Sequence, residues 1–119
     1  MHFFQLMIRV RDMQKSMAFY RDFAGLNVLK SLKSDEWEVA FLADKEGATQ
    51  IELIYMPQGA KVEAKGLTVC FHAEDVDALH IKAQEQGLNP SDIRNPDPEN
   101  RYFYVYDPDG VSIEFKQKV

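Results

Sequence analysis

The segment Asp107–Phe115 reads DPDGVSIEF, which is a tight turn that runs directly into a short strand. Proline presets the turn dihedral, aspartate can bond its own backbone, and Gly110 supplies the positive φ with which the chain reverses. After the turn, apolar and polar residues alternate, as in a strand that is buried on one side. Glu114 is therefore predicted to lie on the face opposite Ile113 and Phe115.

A closely similar strand occurs earlier in the chain. The sequence QIEL at 50–53 matches SIEF at 112–115, so Glu52 precedes Glu114 by 62 positions. The glycines of two Gly-Leu-Asn segments, at 25–27 and 87–89, keep the same offset. Ordered matches at a nearly constant offset indicate an internal duplication. We therefore predict two copies of one supersecondary unit.

Each copy is predicted to run strand, helix and three strands. Asp12 and Asp75 are the predicted helix N-caps, and Gly25 and Gly87 are the predicted helix ends. The predicted strands are 4–10, 27–32, 37–42 and 48–55 in the first copy, and 67–73, 101–106 and 111–116 in the second. The second copy also has a Pro- and Asp-rich stretch, 89–100, which is predicted to be loop with at most a short edge strand.

This pattern predicts an α+β fold in which two βαβββ modules in tandem form curved antiparallel sheets around a cavity, with the helices on the outside. The modules are 1–57 and 66–119 of a single domain, joined by a polar linker at 57–65. The polar sheet faces are expected to converge, and they carry Gln5, Arg9, Gln50, Glu52, Thr68, Cys70, His72, Ser112 and Glu114. The alternative is that Glu52 and Glu114 face solvent on open sheets. Their equivalent positions in the two copies favour the cavity.

The composition excludes several classes of function. The 119 residues carry a formal charge of −5, and no basic cluster offsets it, so a nucleic-acid partner is not expected. A single cysteine rules out an internal disulfide framework, which fits a reducing compartment. No signal peptide or membrane span is apparent, and we expect a cytoplasmic protein without a membrane partner.

The motifs together resemble those of the vicinal oxygen chelate superfamily, in particular small glyoxalase I and bleomycin-resistance-type proteins. The resemblance covers essentially the whole chain and is carried by 5–12, Phe19–Asp22, Gly25-Leu26, Ile51–Leu53, 66–77 and Asp107–Phe115. It implies four metal-ligand positions, which fall on Gln5, Glu52, Thr68 and Glu114. Thr68 stands where glyoxalase I proteins have a histidine, and a hydroxyl is a poorer ligand for a transition metal.

The resemblance implies a divalent metal, with Ni²⁺, Zn²⁺, Mn²⁺ and Mg²⁺ as candidates, bound more weakly because of Thr68. The remaining oxygen donors, Gln5, Glu52 and Glu114, suit Mg²⁺ or Mn²⁺ better than Zn²⁺. The two glutamates are the candidate catalytic residues. The candidate substrate-binding residues are Arg9, Thr68 and His72, and Arg9 matches an arginine that holds a glutathione carboxylate in glyoxalase I proteins. Met56 stands where those proteins often have an asparagine for the same ligand.

Two functional classes follow from the resemblance. One is a lactoylglutathione lyase-like enzyme or related isomerase, in which a glutamate moves a proton on a small carbonyl or thiol-adduct substrate beside the metal. The other is a metal-free drug- or metabolite-binding protein whose aromatic residues, including Trp37, contact the ligand. A dioxygenase is disfavoured because it would need two histidines and a carboxylate. The family also implies a homodimer, in which the site can be shared between subunits.

Overall fold

The chain forms two compact units, Met1–Glu63 and Ala64–Val119, and each contains one four-stranded sheet. This computed structural model describes residues 1–59 and 62–118. Residues 60 and 61 of the predicted linker lie outside the described residues. Within the described chain, no helix is long and apolar enough to cross a bilayer.

The first unit places its strands in the order β1-β4-β3-β2. Its elements are β1 (Gln5–Arg9), α1 (Met13–Met17), a π-helical segment (Ala18–Phe23), β2 (Asn27–Lys33), β3 (Glu38–Ala43) and β4 (Gln50–Tyr55). One face of the sheet carries apolar residues from every second position, including the buried Ile8, Ile51 and Leu53. The helix α1 packs against β4.

The second unit repeats the plan with the order β5-β8-β7-β6. Its elements are β5 (Thr68–His72), α2 (Val76–Glu85), β6 (Arg94–Asp97), β7 (Asn100–Tyr106) and β8 (Ser112–Lys118). The helix α2 packs on β7 and β8, and its first buried residue, Val76, donates its backbone N–H to Gln117 Oε1 at 2.8 Å. The core below it contains Phe103, Ile113 and Phe115. The short exposed β6 is the edge strand that the sequence allowed within 89–100.

The predicted α+β fold with two βαβββ modules is confirmed, but the sheets are mixed rather than antiparallel. The first strand of each unit pairs in parallel with the last strand, and the other pairings are antiparallel. The parallel pair arises because a helix and two strands separate the partners in sequence, which is a crossover rather than a hairpin.

Both predicted helix caps are present. The Asp12 carboxylate accepts from Lys15 N at 3.1 Å, and the Asp75 carboxylate accepts from Ala78 N at 3.0 Å. The first helix differs from the prediction in its second half, where the backbone widens to π geometry and Ala24 N donates to Phe19 O at 2.8 Å. Buried aromatic residues occupy this wide turn.

The Asp-Pro-Asp-Gly turn is held by a buried carboxylate. Asp107 is 4% exposed, and its Oδ1 accepts from Asp109 N at 2.8 Å and from Val111 N at 2.9 Å. Gly110 has a φ of 91°, as the turn requires. The turn thereby fixes where β8 begins and which face receives Glu114.

We predict that Asp107→Ala lowers the free energy of unfolding by about 2–4 kcal/mol, because two buried N–H groups lose their acceptor. Asp107→Asn should cost less, since the amide oxygen can accept the same two bonds. The measurement is the urea midpoint, with the exposed Asp35→Ala as the matched control. Equal urea midpoints for Asp107→Ala and Asp35→Ala would contradict the stabilising role of the Asp107 carboxylate in the turn.

Candidate functional site

The parallel strand pair of the first unit brings Gln5 and Glu52 together. Gln5 is aligned with Gln50, and Met7 with Glu52. The Gln5 Nε2 atom donates to Glu52 Oε1 at 2.8 Å. Glu52 is only 7% exposed although it lies on the sheet face opposite Ile51 and Leu53. This face is therefore not an open, water-covered surface at Glu52.

No cation among the described residues compensates the buried Glu52 carboxylate. Its one described hydrogen-bond partner is the neutral Gln5 amide. Among the described side chains, no buried nitrogen or oxygen atom lacks a partner, so the second carboxylate oxygen keeps some accessible surface. A buried carboxylate that is paired only with a neutral amide suits the binding of an external cation, because a cation offsets its lost hydration.

The second unit places Glu114 in the equivalent register. Cys70 is aligned with Glu114 on the parallel side, and Tyr104 is aligned with it on the antiparallel side. Thr68 is aligned with Ser112 and is exposed. Glu114 itself is half-buried. The Thr68 hydroxyl therefore stands at the position predicted for the fourth ligand, on the same face as Glu114.

The immediate neighbours of Glu114 respond to its charge. Partial burial raises the pKa of the Cys70 thiol, the Glu114 carboxylate raises it further, and Lys116 acts in the opposite direction. Burial likewise raises the pKa of the Tyr104 phenol, with Glu114 as the next cause. Both groups therefore stay protonated at neutral pH and can donate hydrogen bonds.

Three tyrosines on β7 form part of this face and were missed as a set by sequence reasoning. Tyr102, Tyr104 and Tyr106 alternate with the buried Phe103 and Val105. The rings of Tyr102 and Tyr104 meet edge to face with centroids 5.8 Å apart. The signal was present in the sequence as a period-2 alternation of tyrosine with apolar residues.

The candidate substrate residues lie farther along the first strand of each unit. Arg9 and His72 are both exposed, and His72 is aligned with Lys116. A Cβ added at Gly59 would stand 2.5 Å from Arg9 Nη1, so the guanidinium lies against the turn that Gly59 closes with Met56. His80 has a different role, because its Nε2 lies 2.8 Å from Ser91 O and its ring packs edge to face on Phe103.

Trp37 lines a small open depression within the first unit and is 38% exposed. The other residues that line the depression are Lys33, Ser34, Asp35, Glu38, Tyr55 and Pro57. Neither Glu52 nor Gln5 lines this depression.

Within residues 1–59 and 62–118, no three His, Cys, Asp or Glu side chains cluster in a way that could hold a metal ion. Each unit contains one glutamate of the predicted ligand set at an equivalent strand position, Glu52 in the first and Glu114 in the second. Gln5 and Thr68 provide neutral oxygen atoms beside them. The donors are therefore oxygens, which favour a hard divalent cation.

A family model for the Glyoxalase/Bleomycin resistance protein/Dioxygenase superfamily matches residues 2–115. The chain belongs to this superfamily. The resemblance inferred from the sequence motifs is thereby confirmed for the vicinal oxygen chelate superfamily as a whole.

Individual members of the glyoxalase superfamily match along most of their length. The lactoylglutathione lyase of Haemophilus influenzae is 32% identical over 97% of this chain and 91% of its own. A probable lactoylglutathione lyase of Synechocystis sp. is 33% identical over 93% of this chain and 91% of its own. The structure of Leishmania major glyoxalase I aligns with a TM-score of 0.79 at 26% identity, over 98% of this chain and 86% of that one.

We predict that Glu114→Gln speeds alkylation of Cys70 by iodoacetamide at pH 8. The neighbouring carboxylate raises the pKa of the thiol, so removing its charge increases the fraction of reactive thiolate. The measurement is the alkylation rate as a function of pH. Glu85→Gln removes the same charge from the exposed side of α2 and should leave the rate unchanged. Equal rates in wild type and Glu114→Gln would show that the carboxylate does not act on Cys70.

Proposed function

We propose that this protein is a glyoxalase I-type lyase or isomerase that moves a proton on a small carbonyl or thiol-adduct substrate. The observation that carries the proposal is the buried Glu52 carboxylate, which has the Gln5 amide as its described partner and has Glu114 as its repeat-equivalent. Two of the matching relatives bear the name lactoylglutathione lyase or probable lactoylglutathione lyase, which supports the same reaction class.

A divalent cation fits the donors that the chain offers. The candidate ligands are Gln5 and Glu52 in the first unit and Glu114 in the second. Thr68 would contribute at most a weak hydroxyl, so the set favours Mg²⁺ or Mn²⁺ over Zn²⁺ or Ni²⁺. The cation would act as a Lewis acid and stabilise negative charge on the substrate oxygens.

The two glutamates are the candidate catalytic residues, and one of them is proposed to transfer the proton between adjacent substrate carbons. Their surroundings differ, because Glu52 is buried against an amide while Glu114 is half-buried beside a thiol and a phenol. A general base must be able to reach the substrate, and the half-buried Glu114 is more accessible than Glu52, which is 7% exposed. Glu114 is therefore assigned as the base, and Glu52 as the residue that holds the cation.

Substrate recognition is assigned to Arg9, Thr68 and His72. Arg9 offers a planar guanidinium that can pair with a carboxylate in two hydrogen bonds. Its neighbour across the turn is Met56, which cannot donate a hydrogen bond. Recognition of a glutathione-like carboxylate would therefore rest on Arg9 alone at this end of the first sheet.

A second candidate is a metal-free binding protein of the bleomycin-resistance type. The three tyrosines on the Glu114 face favour it, since aromatic side chains provide large contact areas for a flat ligand. The exposed Thr68 at the histidine position favours it as well. In either case we propose a homodimer and a cytoplasmic location. The exposed edge strand β2, with Val28 and Leu32, and the half-exposed Trp37 are the candidate subunit contacts.

We predict that Mn²⁺ raises the melting temperature and supports isomerisation of the hemithioacetal of methylglyoxal and glutathione. Glu52→Gln should lose both effects, because it removes the charged ligand. Glu114→Gln should lower turnover about 10²-fold or more, because it removes the base as well as a ligand. The measurements are thermal denaturation with and without the ion, and the rate of thioester formation.

The exposed Glu46→Gln, in the turn before β4, serves as the charge-matched control. Native mass spectrometry that finds no ion, together with melting that does not respond to Mn²⁺, Mg²⁺, Ni²⁺ or Zn²⁺, would reject the enzyme proposal. Stabilisation by flat aromatic ligands under the same conditions would then support the binding-protein candidate.

Thr68→His is expected to increase the affinity for Zn²⁺ and Ni²⁺ at least tenfold, because imidazole is a better ligand for these ions than a hydroxyl. The measurement is calorimetric titration of wild type and variant with each ion. Thr49→His provides an exposed control outside the proposed ligand set. An unchanged affinity of Thr68→His for Zn²⁺ and Ni²⁺ would mean that residue 68 does not face the metal.

A further inference from the structure

One row of side chains crosses the whole second sheet and carries an unusual concentration of positive charge. His72 on β5 is aligned with Lys116 on β8, Lys116 with Tyr102 on β7, and Tyr102 with Arg94 on β6. Residues aligned in this way share one sheet face. The row therefore holds two permanent cations, one histidine and one tyrosine, in a chain whose formal charge is −5.

Among the described residues, no ion pair is formed by the cations of this row, whereas Arg101 and Arg21 pair with Asp77 and Asp22. The charge of Lys116 does reach Asp97, whose pKa is lowered mainly by the hydrogen bonds from Asn100 and Glu99 and to a smaller extent by Lys116. Lys116 lies over the Tyr102 ring, with its Nζ atom 5.9 Å from the ring centroid.

Asp97, the acidic residue at the end of β6, is held in place by hydrogen bonds from its own strand turn. Asp97 accepts from Glu99 N at 2.8 Å and from Asn100 Nδ2 at 2.9 Å. In the row itself, Tyr102 separates Lys116 from Arg94, and no acidic side chain is aligned with a member of the row. The row is therefore suited to receive an anion from solution.

The fold itself does not require these charges. In the first unit, the equivalent row reads Arg9, Ile54, Val39 and Leu32 in the same register. Three of its four positions are aliphatic, and the same sheet forms. Only the outermost cation is shared, since His72 occupies the repeat-equivalent position of Arg9. The basic row is thus a property of the second unit that sheet formation does not explain.

We propose that the row formed by His72, Lys116, Tyr102 and Arg94 binds the anionic group, a carboxylate or a phosphate, of a small molecule. Lys116 supplies a central point charge, Arg94 and His72 supply hydrogen-bond donors on either side, and Tyr102 supplies a ring and a hydroxyl. Nitrogen donors that carry charge bind such oxygens more strongly than neutral donors do.

The position of the row also constrains the size of the ligand. Lys116 and Glu114 are two residues apart on one strand and lie on the same face, which separates them by about 7 Å. The inference rests on the proposed function for this point alone: a substrate that reacts at Glu114 would carry its anionic group about 7 Å from the reacting carbon. Anion binding by the row can occur whether or not that reaction takes place.

The test is titration of the apo protein with inorganic phosphate and with succinate, followed by calorimetry and thermal denaturation at constant ionic strength. Wild type should bind at least one of the two anions and melt at a higher temperature when it is present. Comparison of the two anions shows whether the row prefers phosphate or carboxylate. Lys116→Gln and Arg94→Gln should each weaken binding about tenfold, the effect of losing one charge-assisted hydrogen bond.

The control is Lys45→Gln, which removes one positive charge from the exposed turn between β3 and β4 and should bind like wild type. Lys116→Gln should also melt close to the wild-type temperature without the anion, because its described contact is with the Tyr102 ring, and such contacts contribute little at a partly exposed site. That result would distinguish lost binding from a damaged fold.

Unchanged anion affinity in Lys116→Gln and Arg94→Gln would overturn the inference, as would a melting response that chloride reproduces at equal ionic strength. Absence of binding by wild type would overturn it too. The outcome is separable from the metal experiments, because Glu52→Gln should lose the response to Mn²⁺ and keep the response to the anion. A Lys116-dependent anion response without any metal response would reject the enzyme proposal and leave the anion site in place.

Discussion

The parallel pairing of the first strand with the last strand of each unit is the constraint on which the candidate site depends. Gln5 and Glu52 are far apart in sequence, and only this pairing puts them within hydrogen-bond distance. The same register in the second unit sets Cys70 beside Glu114. Side chains alternate between the two sheet faces, so a slip of one residue would send either glutamate into the helix-covered core. The apolar residues that alternate with the glutamates prevent that slip, because they would lose their burial.

The same pairing gives the two carboxylates different environments. Glu52 faces Met7 and Phe41 on the neighbouring strands and is almost fully buried. Glu114 lies between Cys70 and Tyr104, both of which can donate hydrogen bonds. A buried carboxylate beside a neutral amide loses hydration that a bound cation would offset, whereas a half-buried one keeps part of its hydration and has donors beside it. Two chemically identical side chains thus have different surroundings because different strands lie next to them.

Much of this arrangement could be predicted from the sequence because it depends on local chemistry. The caps at Asp12 and Asp75, the turn at Asp107 and the alternation along β8 all follow from the properties of single residues. The π-helical segment after Met17 could not be predicted, since it depends on how buried aromatic rings pack in the tertiary structure. The parallel strand pairs are a consequence of topology, which alternation along a strand does not encode.

The site was predicted one residue at a time, and what the sequence could not show is which residues stand side by side on different strands. Tyr102, Lys116 and His72 are well separated in the chain, and each alone is an ordinary exposed or half-exposed residue. Their alignment on one row gives them a common chemistry. The two units share the apolar face that builds the sheet and differ on the other face. The first unit has a buried glutamate with its amide partner, and the second has tyrosines and cations around Glu114. Because both units form the same sheet, the residues on this second face are not dictated by the fold and are the positions at which a difference in ligand recognition can arise.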